Sequence, residues 1–282
     1  VPEGHTIHRL AQRVDDAFAG DRVTSSSPQG RFEEGAARID GLTLVSADAW
    51  GKHLLVRFDG LAEQVHVHLG LFGKFRVRKH PEGEVPEVTG QVRWRLVGPA
   101  EWPTRTGDLR GPTACTLLLP DEIDTLLSRL GPDPLRDDAD PGRAWARIHR
   151  SRAPIATLLM DQSVVAGIGN VYRAEVLFRG GIDPFLPGRE LPEPFWDAMW
   201  ADLIALMREG VRKGRIDTVH VEHGPDVMGR APRRDDHGGE VYVYRRDGRA
   251  CYVCGDTVRK QELAARNLFW CPTCQRAGTL GR

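Results

Sequence analysis

Two places in the chain carry residue types that can do chemistry, and they lie at its opposite ends. The sequence begins Val1-Pro2-Glu3-Gly4-His5-Thr6. A proline with a free amino end is a secondary amine. It attacks an electrophilic carbon and collapses to an iminium, as a lysine does in Schiff-base catalysis. A neighbouring carboxylate, Glu3, can move protons on and off the same centre. Val1 would acylate Pro2. The expectation is therefore that Val1 translates a non-standard start codon, that the initiator methionine is removed, and that Pro2 becomes the mature amino terminus. At the far end, Cys251-x-x-Cys254 and Cys271-x-x-Cys274 are separated by sixteen residues. Two knuckles at this spacing place four thiolates around one Zn²⁺, and a closed shell of that kind is structural. Cys115 lies in an apolar run and reads as an inert buried thiol. Arg259, Lys260 and Arg266 put positive charge between the knuckles, which suits phosphate.

Other candidates are less specific alone. Lys52, in Gly51-Lys52-His53, reads by itself as a solvated turn charge. His66 and His68 share one strand face without a third metal ligand in sequence, and read as structural or phosphate-contacting histidines. Leu71 and Phe72 stand between Gly70 and Gly73, as core plugs or as a wedge. In Gly167-Ile168-Gly169-Asn170, glycines let backbone N–H groups approach a ligand. The helix starting near Asn170 favours an anion at its N-terminus. No strand precedes this turn, which argues against a dinucleotide fold.

The elements that must position these groups follow from periodicity. Ile7, Leu10, Ala11, Val14 and Phe18 mark a helix closed by Gly20. Short alternating runs near 43–47, 54–58, 64–69, 74–78, 92–97 and 115–119 predict an antiparallel sandwich or barrel. Helical spacing takes over from Asp121, with helices over 123–130, from Pro141, over 155–159, from Asn170 to Phe178, and across 196–207. Residues 212–240, rich in glycine and charge, read as a mobile loop. Val241-Tyr242-Val243-Tyr244 reads as a short strand. The domain limits expected are 1–121, 122–211, 212–240 and 241–282. The 282 residues carry 39 basic and 39 acidic side chains, so any anion-binding surface must be a local patch rather than a global charge. No run is apolar enough to span a bilayer and no signal peptide is apparent, so a cytosolic, disulfide-free protein is expected.

Taken together, Pro2-Glu3-Gly4, Gly51-Lys52, His68-Leu69-Gly70-Leu71, Leu130-Gly131-Pro132-Asp133-Pro134-Leu135, Gly167-Ile168-Gly169-Asn170-Val171-Tyr172 and the cysteine knuckles resemble the formamidopyrimidine-DNA glycosylase/endonuclease VIII family over the whole chain. The resemblance implies an α+β multidomain fold. Its parts would be an N-terminal helix with a two-sheet antiparallel β-sandwich, a helix–two-turns–helix domain and a C-terminal zinc finger, with DNA bound in the cleft between domains. It implies one structural zinc on Cys251, Cys254, Cys271 and Cys274, and a monomer acting on damaged double- or single-stranded DNA. Pro2 matches the nucleophile, Glu3 the catalytic acid, and Lys52 the lysine that contacts phosphate and assists catalysis. Asn170 and Arg266 match the phosphate-binding asparagine and arginine. Leu71 and Phe72 would fill the space left by an extruded nucleotide.

Some positions depart from the family pattern. Thr6 stands where many members carry a second glutamate, and Ile155-Ala156 replaces a common Ile-Lys. The arginine-bearing motif of purine-specific members is not evident, Arg110 being its nearest counterpart. Leu71-Phe72-Gly73 is similar to the wedge of endonuclease VIII. The expected activity is a bifunctional glycosylase and abasic-site lyase for oxidised pyrimidines, cutting by β- and δ-elimination. The competing expectations are a purine-type glycosylase and, were Val1 retained, a non-catalytic DNA-binding protein.

Overall fold

The computed structural model describes residues 2–100, 103–234, 239–277 and 280. The chain forms two compact units. One contains Pro2 and Thr6–Arg129; the other contains Glu3–His5 and Leu130–Arg282. Val1, and with it the expectation about its removal, lies outside the described residues.

Helix α1 (Gly4–Phe18) belongs to the first unit from Thr6 onward, and its Ile7, Leu10, Val14 and Phe18 are buried at the spacing read from sequence. Around it lie β1 (Thr24–Ser26), α2 (Glu33–Ile39), β2 (Leu44–Trp50), β3 (His53–Phe58), β4 (Gln64–His68), β5 (Lys74–His80), β6 (Trp94–Val97), β7 (Thr104–Arg110), β8 (Ala114–Leu118) and α3 (Pro120–Ser128). The strands make two four-stranded sheets, in the orders β1-β6-β7-β5 and β2-β3-β4-β8, with all pairs antiparallel. Leu54, Val56, Val65 and Val67 of one sheet share a core with Trp94, Leu96 and Leu109 of the other. A shared apolar core between two sheets makes this a sandwich rather than a closed barrel. Strands β1 and β7 and helix α2 were not expected. Residues 104–110, Thr-Arg-Thr-Gly-Asp-Leu-Arg, lack apolar alternation, because the buried positions are filled by Thr104, Thr106 and Asp108. Asp108 is buried because Arg95 pairs with it, through bonds of 2.7 and 3.0 Å.

The second unit contains α4 (Pro141–Ile148), α5 (Ile155–Leu158), α6 (Asn170–Arg179), α7 (Glu193–Lys213), α8 (Pro225–Met228), β9 (Arg259–Leu263) and β10 (Arg266–Trp270). Pro141 starts α4 behind Asp140, whose side chain accepts from Gly142 N–H at 2.8 Å. Gly214 ends α7 in the left-handed conformation, φ 74°. Helix α6 is the centre of this unit, every residue from Val171 to Phe178 being buried.

Residues 241–244 do not form the strand that their Val-Tyr alternation predicts. All four are buried, and three of their amides converge on the carboxylate of Glu175. Tyr242, Val243 and Tyr244 N–H donate at 2.7, 2.9 and 2.8 Å, and the Thr218 hydroxyl adds 2.5 Å. A ladder is impossible where one side chain accepts the amides a neighbouring strand would need. The segment 212–240, read as a mobile loop, opens with the last turn of α7. It then carries a one-turn 3-10 helix (Val221–His223) and α8. Residues 235–238 of it lie outside the described residues.

In the first unit His53, His66 and His68 form a ring cluster on adjacent strands, with His53 Nδ1 and His66 Nε2 sharing a hydrogen bond of 2.9 Å. Burial, then the neighbouring histidine and Lys52 charges, pushes His53 down to about 3; burial and His68 push His66 down to about 4. Both rings are thus neutral in the fold and protonate more readily once unfolded, near 6.5. Between these values the unfolded chain binds more protons, so this contribution to stability is complete above about pH 7 and is lost as pH falls. The urea midpoint should therefore fall more steeply between pH 7 and about pH 4 in wild type than in His66→Gln. Parallel pH profiles would contradict this account.

Candidate active site and zinc centre

Glu3 is 1% exposed, and its carboxylate is taken up by the first turn of α6. Its Oε1 accepts from Val171 N–H at 2.8 Å, and its Oε2 from Gly169 and Tyr172 N–H at 3.0 and 3.4 Å. These are the orphan amides of a helix N-terminus, where the dipole favours negative charge. The glycines that the sequence marks for a close backbone approach thus receive an anion of the chain itself. A Cβ on Gly169 would run into the Glu3 carboxyl, and Gly167, at φ 89°, accepts Gly4 N–H at 2.8 Å. Helix α7 packs over the same tripeptide. A Cβ on Gly4 would meet Met207 Cε at 2.9 Å, and one on Gly210 would meet the His5 ring at 3.0 Å and crowd the Tyr172 hydroxyl. Burial and the Glu3 charge hold the Tyr172 phenol above its usual range. Pro2, half-buried, precedes Glu3 by one peptide bond.

Asn170 stands at the start of α6, and its Nδ2 donates to the Asn267 carbonyl of β10 at 2.9 Å. Arg173, one turn on, is fully buried, donates to the same carbonyl at 3.1 Å and also to Asn170 Oδ1. Burial pushes its guanidinium down to about 10, with the Glu3 charge opposing and Arg266 adding to the shift. Sequence reasoning missed Arg173 and Asn267. The three-residue spacing of Asn170 and Arg173, which puts them on one helix face, was the available signal.

Arg266 begins β10 and is exposed, directly after Ala264 and Ala265 at φ 51° and 58°. Leu263 and Arg266 face each other across this two-residue turn. Left-handed backbone suits a type I′ hairpin and costs about 1–2 kcal/mol for each alanine. At its base, the four cysteine Sγ atoms lie within 4.8 Å of one another, with Cys251–Cys274 at 3.9 Å and Cys254–Cys271 at 3.4 Å. Sulfurs about 2.3 Å from a tetrahedral Zn²⁺ sit near ~3.8 Å apart. Disulfides would need about 2.05 Å. The donor set fits one structural zinc.

The remaining candidates belong to the first unit. Lys52, half-buried, is the second residue of the two-residue turn closed by Trp50 and His53, where Gly51 takes φ 58°. Leu71 and Phe72, in the β4–β5 turn, are 48% and 79% exposed, so neither plugs the core. Gly70, at φ 65°, and the Gly73 N–H to Leu69 carbonyl bond of 3.0 Å hold that turn. Arg110 is engaged in the sheet, donating to the Thr89 carbonyl at 2.9 Å and to Asp108 at 3.3 Å.

Comparison with known proteins was consistent along the chain. Residues 1–115 match the formamidopyrimidine-DNA glycosylase N-terminal domain. Residues 130–221 match its H2TH domain, and 248–277 the zinc finger found in these glycosylases and isoleucyl-tRNA synthetase. Endonuclease 8 1 of Mycobacterium tuberculosis is 51% identical over 276 residues, covering 98% of this chain and 100% of that protein. Formamidopyrimidine-DNA glycosylase of Parasynechococcus marenigrum is 30% identical over 286 residues, covering 98% and 99%. The fold matches that of Lactococcus lactis formamidopyrimidine-DNA glycosylase non-covalently bound to DNA containing an abasic site, with a TM-score of 0.75 at 21% identity over 97% and 99% of the two chains.

Because a closed metal site supplies folding free energy to the hairpin it ties, Cys254→Ser should lose the bound zinc and order in β9 and β10. Metal analysis, with hydrogen exchange on residues 259–270, checks this. One zinc retained per chain would refute the four-thiolate assignment.

Proposed function

The chain belongs to the formamidopyrimidine-DNA glycosylase/endonuclease VIII family, and from that premise we propose that it excises oxidised pyrimidines and cuts the strand through a Schiff base on Pro2. The observation that carries the proposal is the Glu3 carboxylate, buried against three amides of α6 and joined to Pro2 by one peptide bond.

The neutral Pro2 nitrogen attacks C1′ of an extruded nucleotide. An N–C1′ bond forms, and the glycosidic bond breaks as the base leaves with its electron pair and takes up a proton. The sugar ring opens to an iminium, whose positive charge acidifies C2′–H. Loss of that proton expels the 3′ phosphate, and a second elimination expels the 5′ phosphate. Glu3 serves proton transfer at the sugar. Its bonds to backbone amides fix the position of the carboxylate. An α-amino group has a reference pKa near ~8, so the attacking form is accessible near neutrality. Lys52 and Arg266 supply positive charge for backbone phosphates, Asn170 a polar contact, and the zinc hairpin carries Arg266.

Substrate preference rests on the wedge. Unstacking a base costs a few kcal/mol, so a filler is needed for the vacated stack. Leu71 and Phe72 offer exposed apolar and aromatic surface without hydrogen-bonding a particular partner base. Arg110, the nearest counterpart of an arginine that reads an opposite cytosine, is held by Asp108 and Thr89.

Three outcomes are expected. Borohydride should trap the protein on abasic DNA through Pro2, and Glu3→Gln should slow base removal by about 10²–10⁴-fold. Efficient trapping by protein shown by intact mass to retain Val1 would exclude Pro2 as the amine. In single-turnover assays, 5-hydroxyuracil and thymine glycol should be removed faster than 8-oxoguanine opposite cytosine. A preference for 8-oxoguanine that disappears in Arg110→Ala would defeat the pyrimidine assignment.

A further inference from the structure

Formal charge cancels over the whole chain, so any further anion-binding surface must be local, and one stretch of the second unit has the composition for it. Residues 141–160 contain Arg143, Arg147, His149, Arg150 and Arg152 and no aspartate or glutamate. Arg143 and Arg147 lie one turn apart on α4, about 6 Å of rise, and Arg150 and Arg152 follow where the helix ends. All four arginines are exposed, and none makes an ion pair among the described residues. The nearest carboxylates in sequence are engaged by backbone. Asp140 accepts from Gly142 N–H and Asp161 from Ser163 N–H, each at 2.8 Å.

A helix face that is merely solvated looks different. On α7, Arg212 and Lys213 pair with Glu209 at 2.6 and 2.8 Å. The helix dipole does not account for the row either. It favours Arg147 in the last turn, but Arg143 stands in the first turn, where a cation is disfavoured. The row adjoins the turn that opens α6. Arg147 donates to the Ser163 carbonyl at 2.6 Å, and Arg143 reaches the Leu130 carbonyl at 3.5 Å. Gln162, next to Ser163, accepts Gly131 N–H on its backbone carbonyl at 2.9 Å. Its side chain accepts Gly167 N–H at 3.0 Å and donates to the Ile168 carbonyl at 2.9 Å. The residues leading into Asn170 are therefore joined, through Gln162, to the carbonyl on which Arg147 rests. Guanidinium groups without a carboxylate partner suit phosphate oxygens.

We propose that Arg143, Arg147, Arg150 and Arg152 form a second phosphate-binding surface, which takes the phosphodiester backbone of the duplex flanking the reacting nucleotide. This rests on DNA as the substrate in the reading above. B-DNA carries one charge per about 1.7 Å of its axis, so a row spread over roughly 10 Å meets several phosphates. Backbone contacts fix register and carry no sequence information. The surface therefore contributes equally to damaged and undamaged duplex, and leaves discrimination to the groups around Pro2.

The test uses the zinc-loaded full chain and two duplexes of roughly 25 base pairs, one undamaged and one with a single tetrahydrofuran abasic analogue. Fluorescence anisotropy measures affinity as a function of salt. The side chains of Arg150 and Arg152 make no hydrogen bond or ion pair in the protein, so their loss does not disturb the fold. In Arg150→Gln/Arg152→Gln the slope of log affinity against log salt becomes shallower by about 1 to 2 on both duplexes. Affinity at about 0.1 M salt falls by roughly tenfold or more, and the ratio of the two affinities stays within about twofold of wild type. Arg143→Gln/Arg147→Gln gives the same change, while Arg147→Lys keeps the charge and the wild-type slope. Arg212→Gln, which removes a charge paired with Glu209, leaves the slope unaltered. Wild-type slopes in Arg150→Gln/Arg152→Gln overturn the proposal. So does a loss confined to the damaged duplex, an equal change in Arg212→Gln, or two duplexes bound per wild-type chain, which would put the row on a separate molecule. Failure of wild type to bind either duplex overturns the DNA reading and the row with it. Normal binding by wild type with unaltered variant slopes strikes the row alone.

Discussion

A carboxylate withdrawn from water must find donors, and Glu3 finds three of them in the first turn of α6. The chemistry attributed to Pro2 depends on this one interaction. Consecutive Cα atoms stand about 3.8 Å apart, so fixing residue 3 fixes the neighbourhood of residue 2. The interaction also explains two glycines on physical grounds. Gly169 must lack a side chain to admit the carboxylate, and Gly167 turns through the left-handed region to offer its carbonyl to Gly4. Five residues further along α6, Glu175 repeats the arrangement with the amides of residues 242–244. Helix α6 receives a carboxylate on its N-terminal amides and sends another into a following loop. Both carboxylates offset their desolvation mainly through backbone amides, with the Thr218 hydroxyl added on Glu175.

Features whose cause is local were legible in the sequence. The cysteine knuckles, the amphipathic face of α1 and most strands of the sandwich rest on spacing within a few residues. Features whose cause is a distant partner were not. Residues 241–244 alternate like a strand, yet Glu175 on another element takes up their amides. Strand β7 hides behind polar letters because Arg95, from a neighbouring strand, neutralises Asp108. The glycines near 167–169 announced an anion, but nothing in their spacing named Glu3. Lys52 sits on a two-residue turn that Gly51 makes possible, and the Leu71-Phe72 turn leaves its large side chains in solvent. For Leu71 and Phe72 the sequence left two alternatives, and exposure removes the core plug.

The zinc hairpin is more than a charged appendage to the second unit. Asn170 and Arg173 both donate to the Asn267 carbonyl, so the strand that begins with Arg266 is tied to the helix that receives Glu3. The turn before Arg266 uses two alanines where glycine would be easier. Left-handed alanines persist only where the surroundings overdetermine them, and here the surroundings are a five-pair ladder and a closed metal site at its base.

The Glu3 contacts also bear on how the protein comes into being. Glu3 is synthesised before its amide partners, which lie 166 to 169 residues later in the chain. At ordinary translation rates the two are separated by about 10 to 30 s. During that interval the β-sandwich can condense on strand pairings that close by residue 118, while the Glu3 carboxylate has yet to meet its amide donors. A nascent chain that stalls before α6 would hold the sandwich pairings without the amides that take up Glu3. Placement of the Glu3 carboxylate is thereby confined to chains that have been made past Tyr172, within the second unit.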